Sequence, residues 1–164
     1  MLTAKKIRCL VIDDEPLARE MLKQHIAGVE SLELAGVCSN AIEATNFLKD
    51  HPVDLLFLDI QMPQLLGTNF IRTLKSPPKV IFTTAYRKYA VEGFELDAVD
   101  YILKPISLER FLKAINKVLQ TNLSSAQATN DSKENHTEPN RFLYFRVDRK
   151  MVKVLLNDIL FIEG

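Results

Sequence analysis

Cysteine and histidine are scarce, with two and three residues among 164, and that scarcity removes several functional classes. Cys9 and Cys38 cannot staple a small fold, and both fall in apolar strand-like runs where a buried, reduced thiol is expected. Such usage fits a reducing, cytoplasmic setting. His25, His51 and His136 stand at no helical spacing from one another or from a cysteine, which excludes a zinc-type constellation. Glycine is also rare, and none of the five residues has the spacing of a phosphate-cradling loop, so nucleotide binding of that kind is not expected. No run of about eighteen apolar residues occurs, and the lysines of residues 1–8 precede no signal-like apolar core; neither a membrane span nor an export signal is expected. Twenty-one basic residues balance 21 acidic ones, which disfavours whole-surface polyanion binding but leaves room for a local basic face.

What is present is apolar enough, at 47% hydrophobic residues, for one well-buried domain. Residues 121–141 are the exception. Their only aliphatic side chains are Leu123, Ala126 and Ala128 among serine, threonine, asparagine and charges, a composition that reads as a flexible linker, helical at most at its start. Three parts result: a domain over 1–120, the linker over 121–141, and a short segment over 142–164. Within the first part, β-like runs at 7–12, 32–38, 54–58, 79–83 and 98–102 alternate with helical patterns at 16–27, 41–49, 70–75, 87–94 and 108–119. In the first helix Leu17, Met21, Leu22 and Ile26 recur at three-to-four spacing behind Pro16. Strands apolar on both faces, alternating with helices, predict a parallel sheet covered on both sides, a doubly wound α/β fold. The last part is different in kind, with β-like runs at 142–147, 152–155 and 159–162 and no helix between them. So short a segment cannot close a core, so the chain is expected to be a fragment of a longer one unless these strands pack elsewhere.

In an open parallel sheet the reactive groups collect beyond the carboxyl ends of the strands. The first predicted strand is followed by Asp13-Asp14-Glu15, the third by Asp59, the fourth ends in Thr83-Thr84-Ala85, and the fifth is followed by Lys104-Pro105. Each has an ordinary reading: an acidic residue before Pro16 can cap the helix it opens, and Asp59 can be loop chemistry. Together they say more. Clustered carboxylates raise one another's pKa unless a cation is near, and an oxygen-only donor set points to magnesium or manganese rather than zinc. A cation that keeps several waters on one or two carboxylates wants a phosphoryl oxygen as partner. Asp59 is the natural nucleophile for an aspartyl phosphate, with the Thr84 hydroxyl and the Lys104 ammonium on the transferred group's oxygens.

The runs Val11-Ile12-Asp13-Asp14-Glu15-Pro16, Leu58-Asp59-Ile60-Gln61-Met62-Pro63, Thr83-Thr84-Ala85-Tyr86 and Asp100-Tyr101-Ile102-Leu103-Lys104-Pro105 resemble the receiver domain of bacterial two-component response regulators. The resemblance spans residues 5–120 and implies a flavodoxin-like (βα)5 sheet of strand order 2-1-3-4-5. It implies that Asp59 is the phosphoacceptor, that Asp14 and Asp59 bind Mg2+ directly (Mn2+ as an alternative), Asp13 through water, and Gln61 through its backbone carbonyl. Thr84 and Lys104 would contact the phosphoryl group, and Pro105 would follow a cis peptide bond. Thr84 and Tyr101 would form the switch that repacks the face of the fourth helix, fifth strand and fifth helix, while Gln61 and Tyr86 would tune how fast water attacks the acyl phosphate. A sensor histidine kinase is the implied donor, and a homodimer through that face of the fourth helix, fifth strand and fifth helix the implied response. The domain would assist only its own phosphorylation and dephosphorylation, which makes it a regulator and not an enzyme.

The stretch 86–105, with Tyr89-Ala90, Gly93-Phe94-Glu95 and Ala98-Val99-Asp100-Tyr101, is similar to receivers of the LytR/AlgR subfamily, whose output is the LytTR DNA-binding domain. Phe142-Leu143-Tyr144-Phe145-Arg146-Val147 and Asp158-Ile159-Leu160-Phe161-Ile162-Glu163 are similar to the first strands of that domain. The full pattern continues beyond Gly164, so no base-contacting residue is assigned. Arg146, Arg149, Lys150 and Lys153 fit phosphate contacts or a solvated hairpin face equally well, and DNA binding is expected only when the LytTR domain is complete. Two other readings remain open. A phosphatase of the haloacid-dehalogenase type also places aspartate after a parallel strand, but wants a second aspartate where Gln61 stands. An interaction-only regulator would use the β tail as a dimer arm.

Overall fold

The computed structural model describes residues 5–89, 96–127, 142–147 and 150–155. It divides into two compact units, Met1–Ala128 and Thr129–Gly164. In the first unit a five-stranded parallel sheet has the order β2-β1-β3-β4-β5, built from β1 (Ile7–Ile12), β2 (Leu32–Cys38), β3 (Leu55–Asp59), β4 (Lys79–Thr84) and β5 (Asp100–Leu103). The helices are α1 (Pro16–Ala27), α2 (Ala41–Asp50), α3 (Gly67–Thr73) and α4 (Leu108–Gln127), with a 3-10 turn at Arg87–Tyr89.

Successive side chains of a strand point to opposite faces, and the two central strands use both. Cys9, Val11, Leu55 and Phe57 pack on one face against Leu22 and Ile26 of α1 and Phe111, Ala114, Ile115 and Val118 of α4. Leu10, Ile12, Leu56 and Leu58 pack on the other against Ala41 and Ala44 of α2 and Phe70 and Ile71 of α3. Burial of the whole β3 strand explains why its sequence is an unbroken apolar run ending in a single aspartate. Both cysteines are buried free thiols, pushed up by that burial to about 12 for Cys9 and about 11 for Cys38. Among the described residues no helix is long and apolar enough to cross a membrane.

Several boundaries differ from the sequence reading. β3 runs one residue later than expected and so includes Asp59, because Asp54 turns its carboxylate to the Arg8 N–H (2.9 Å). β5 begins at Asp100 rather than Ala98, after Asp97 takes a left-handed φ of 55°, and ends level with Thr84 at Leu103. α3 begins at Gly67, earlier than the expected 70–75, because its first turn tucks under the end of β3. Of the expected helix 87–94, only the 3-10 turn to Tyr89 belongs to the described residues. α4 continues to Gln127, so residues 121–127 of the expected linker are helical; that stretch holds neither glycine nor proline, and Lys79 Nζ donates to Thr121 Oγ1 and to Asn122 Oδ1. The rest of the linker lies outside the described residues.

In the second unit β6 (Phe142–Val147) and β7 (Lys150–Leu155) pair antiparallel, with Val147 opposite Lys150. Lys150, expected in the connection, is therefore the first residue of a strand expected to start at Val152. Arg149 and the expected run 159–162 lie outside the described residues.

Candidate functional site

Register brings the strand-end residues together. β1 pairs with β3 through Ile12 and Leu58, which places the next residues, Asp13 and Asp59, side by side; Asp59 faces Thr83 on β4, and Thr84 faces Leu103 on β5. The Lys104 N–H donates to the Thr84 carbonyl (2.7 Å), extending that pairing by one residue, and the Lys104–Pro105 peptide bond is cis. Carboxylate oxygens of Asp13, Asp14 and Asp59 lie within 4.8 Å of one another, Asp13 and Asp59 buried and Asp14 exposed.

These carboxylates are not used as helix caps. Glu15 is the N-cap residue of α1 and makes no side-chain capping bond, while Asp13 Oδ1 accepts the Glu15 N–H (2.9 Å). Lys104 instead reaches into the cluster, its Nζ 2.9 Å from Asp13 Oδ2 and 3.4 Å from both Asp59 Oδ2 and Glu15 Oε2. Lys104 and Asp13 thus form the closest ion pair of the cluster, with the ammonium on Asp13 Oδ2. On the outer side, Arg19 Nη1 donates to the Asp13 carbonyl (2.7 Å) and holds α1 against the end of β1.

One ammonium among so many carboxylates leaves an excess of negative charge in a water-poor place. Burial pushes the Asp59 carboxyl up to about 6, with Asp13 adding to the rise and Lys104 and the Gln61 N–H working against it. Asp13 is raised as well, by burial first. For Lys104 burial works against the charge, but Asp13 and then Asp59 and Glu15 outweigh it and hold the ammonium above its ordinary value. An oxygen-only donor set with surplus negative charge suits a hard divalent cation.

Thr84 is fully buried beside this cluster, and its Oγ1 accepts the Tyr86 N–H at 3.2 Å. Tyr101, half-buried on β5, donates its hydroxyl to the Tyr86 carbonyl at 2.5 Å. The Gln61 N–H donates to Asp59 Oδ1 (3.1 Å), while its side-chain Nε2 donates to the hydroxyl of Tyr89 (3.3 Å). Thus Asp13, Asp14, Asp59 and Lys104 share one cluster, and Gln61, Thr84, Tyr86 and Tyr101 border it through the loops after β3 and β4.

Glu15, which sequence reasoning placed at the end of the first strand, and three residues to which it gave no role complete the site. Glu15 is an ion partner of Lys104, Arg19 braces Asp13, and Tyr89 holds Gln61 from 28 residues away. The fourth is Gly67. Its N–H donates to the Ile60 carbonyl (2.8 Å), and a Cβ there would collide with the carbonyl oxygen of Asp59. A glycine soon after Pro63, in a chain with five, was the available signal.

A family model described as response regulator receiver domain matches residues 9–116. The transcriptional regulatory protein BtsR of Salmonella typhi is 41% identical over 116 residues, 70% of this chain and 48% of that protein. The sensory transduction protein LytT of Bacillus anthracis is 32% identical over 160 residues, 95% of this chain and 65% of that protein. A crystal structure of the response regulatory domain of mrkE from Klebsiella pneumoniae superposes with a TM-score of 0.63 at 32% identity, covering 74% of this chain and 99% of that one. The chain thus spans about half the length of the BtsR protein it matches.

Proposed function

The chain belongs to the response regulator receiver domain family of two-component systems, and from that premise we propose that Asp59 accepts a phosphoryl group from the phosphohistidine of a sensor histidine kinase. The observation that carries this reading is the meeting of Asp13, Asp14, Asp59 and Lys104 at the end of the sheet. An Asp59 oxygen attacks phosphorus in line with the leaving imidazole nitrogen, which keeps its electron pair. Lys104, already 3.4 Å from Asp59, stays within reach of the transferred group's oxygens, and Thr84 turns its hydroxyl from Tyr86 toward another. Asp14 and Asp59, with Asp13 and the Gln61 carbonyl beside them, would hold Mg2+ or Mn2+. That ion, when bound, neutralises charge on the phosphoryl oxygens.

Movement of Thr84 is felt by Tyr86 and through it by Tyr101, the bonded chain that would carry the switch to the face of β5 and the helices beside it. A symmetric dimer through that face is the proposed response. The similarity to LytT takes in most of the tail, which supports reading residues 142–164 as the start of a LytTR-type DNA-binding domain after a linker. Transcriptional regulation is proposed for a chain that carries a complete LytTR-type domain, in the cytoplasm. Haloacid-dehalogenase chemistry is not favoured: Gln61 turns its side chain to Tyr89, and nothing at that position offers a second carboxylate.

Acetyl phosphate with Mg2+ tests the site. One phosphoryl group is expected on the wild-type protein, none on Asp59→Asn and none with chelator; equal labelling of the Asn variant would sink the assignment. Lys104→Ala is expected to be labelled yet fail to dimerise, and an unchanged dimer constant after phosphorylation of both proteins would count against that role.

A further inference from the structure

A side-chain hydrogen bond joins the loops after β3 and β4 beside Asp59. Gln61 is fixed to the acceptor through its own N–H on Asp59 Oδ1, and its amide reaches across to the Tyr89 hydroxyl. Tyr89 in turn is braced. Its ring meets Tyr86 edge-on with centroids 6.3 Å apart, Lys88 Nζ lies 4.9 Å over the Tyr89 centroid, and the ring packs partly buried against the core on the α2–α3 side of the sheet. A flexible glutamine is therefore held at both ends, by the carboxylate that would carry the phosphoryl group and by a ring on another loop.

We propose that Tyr89 is a positioning residue for Gln61, and that its hydroxyl slows hydrolysis of the aspartyl phosphate by keeping the Gln61 amide bridged between the two loops. The inference rests on Asp59 being the acceptor. In that hydrolysis a water oxygen bonds to phosphorus, the bond from phosphorus to the Asp59 oxygen breaks with its electron pair returning to the carboxylate, and the water's proton leaves with phosphate or solvent. An amide released from Tyr89 can rotate and offer its carbonyl to that water, and the gap between the loops opens to solvent; both consequences speed the same step. One neutral hydrogen bond corresponds to about threefold to tenfold in rate.

The test is the first-order loss of phosphoryl group, in excess Mg2+ after removal of acetyl phosphate, from wild type, Tyr89→Phe, Gln61→Ala and the double variant. Tyr89→Phe keeps the ring and its packing, so a merely structural role predicts no change. The inference expects phosphoryl loss about threefold to tenfold faster in Tyr89→Phe, and no further acceleration by Tyr89→Phe once Gln61 is alanine. An unchanged rate in Tyr89→Phe, or an equal acceleration with and without Gln61, would overturn it while leaving Asp59 as acceptor. Failure of wild type to take any label would remove the acceptor reading, and this inference with it.

Discussion

At Asp59 the folded protein keeps a carboxyl whose ionised form is costly, with burial raising its pKa to about 6 against roughly 3.9 in an unfolded chain. A raised carboxyl leaves the native state binding more protons than the unfolded state, so this group's stability is full below the unfolded value and is lost as pH rises through about 6. Cation binding needs the opposite charge state and strengthens over the same range. Scanning calorimetry should therefore show magnesium raising the melting temperature strongly at pH 8 and little at pH 5. Equal shifts at both values would contradict a cation site built on Asp59. Gly67 makes a second residue-scale prediction. Gly67→Ala must push the start of α3 away from the Asp59 carbonyl, and is expected to cost about 1–3 kcal/mol in denaturant unfolding; an unchanged midpoint would mean the loop yields freely.

Among the elements, β5 and α4 are joined by charge as well as by apolar contact. Arg110 of α4 grips Asp100 of β5 with two 2.7 Å bonds and also donates to the Tyr101 carbonyl, while Lys117 stands 3.1 Å from Asp100. Burial, the largest single influence, would raise the Asp100 carboxyl, but Arg110, the Tyr101 N–H and Lys117 together outweigh it and hold the group below its ordinary value. Its contribution is present at neutral pH and lost as pH falls through that lowered value. Arg110→Ala should cost about 1–2 kcal/mol in urea, with Lys117 limiting the loss. No change in midpoint would show that the apolar face of α4 suffices. The elements themselves were largely legible because the strands are apolar runs of the right length and Phe111, Ile115 and Val118 repeat at helical spacing. Element ends shifted by one to three residues where Asp54, Asp97 and Gly67 followed tertiary demands that no periodicity records. Asp13, Asp59 and Lys104 were legible as a cluster because parallel strands deliver their ends to one edge. The bond from Gln61 to Tyr89 was not, since it depends on the paths of two loops.

For the whole molecule, two cores lie on the two faces of one sheet, and both belong to the unit ending at Ala128. A protein of residues 1–128 should therefore melt as cooperatively as the full chain and take up phosphate equally well. A large loss of either would show that residues beyond 128 complete the domain. The hairpin of β6 and β7 is too small for independent stability, and residues 129–164 alone are expected to lack cooperative unfolding.

The most direct measurement of the central claim traps the acyl phosphate itself. After incubation with acetyl phosphate and Mg2+, borohydride reduction followed by peptide mass spectrometry should convert one residue, Asp59, to homoserine, with Asp13 and Asp14 untouched. Reduction at Asp13 or Asp14 instead, or at no aspartate while the protein carries stable phosphate, would contradict it.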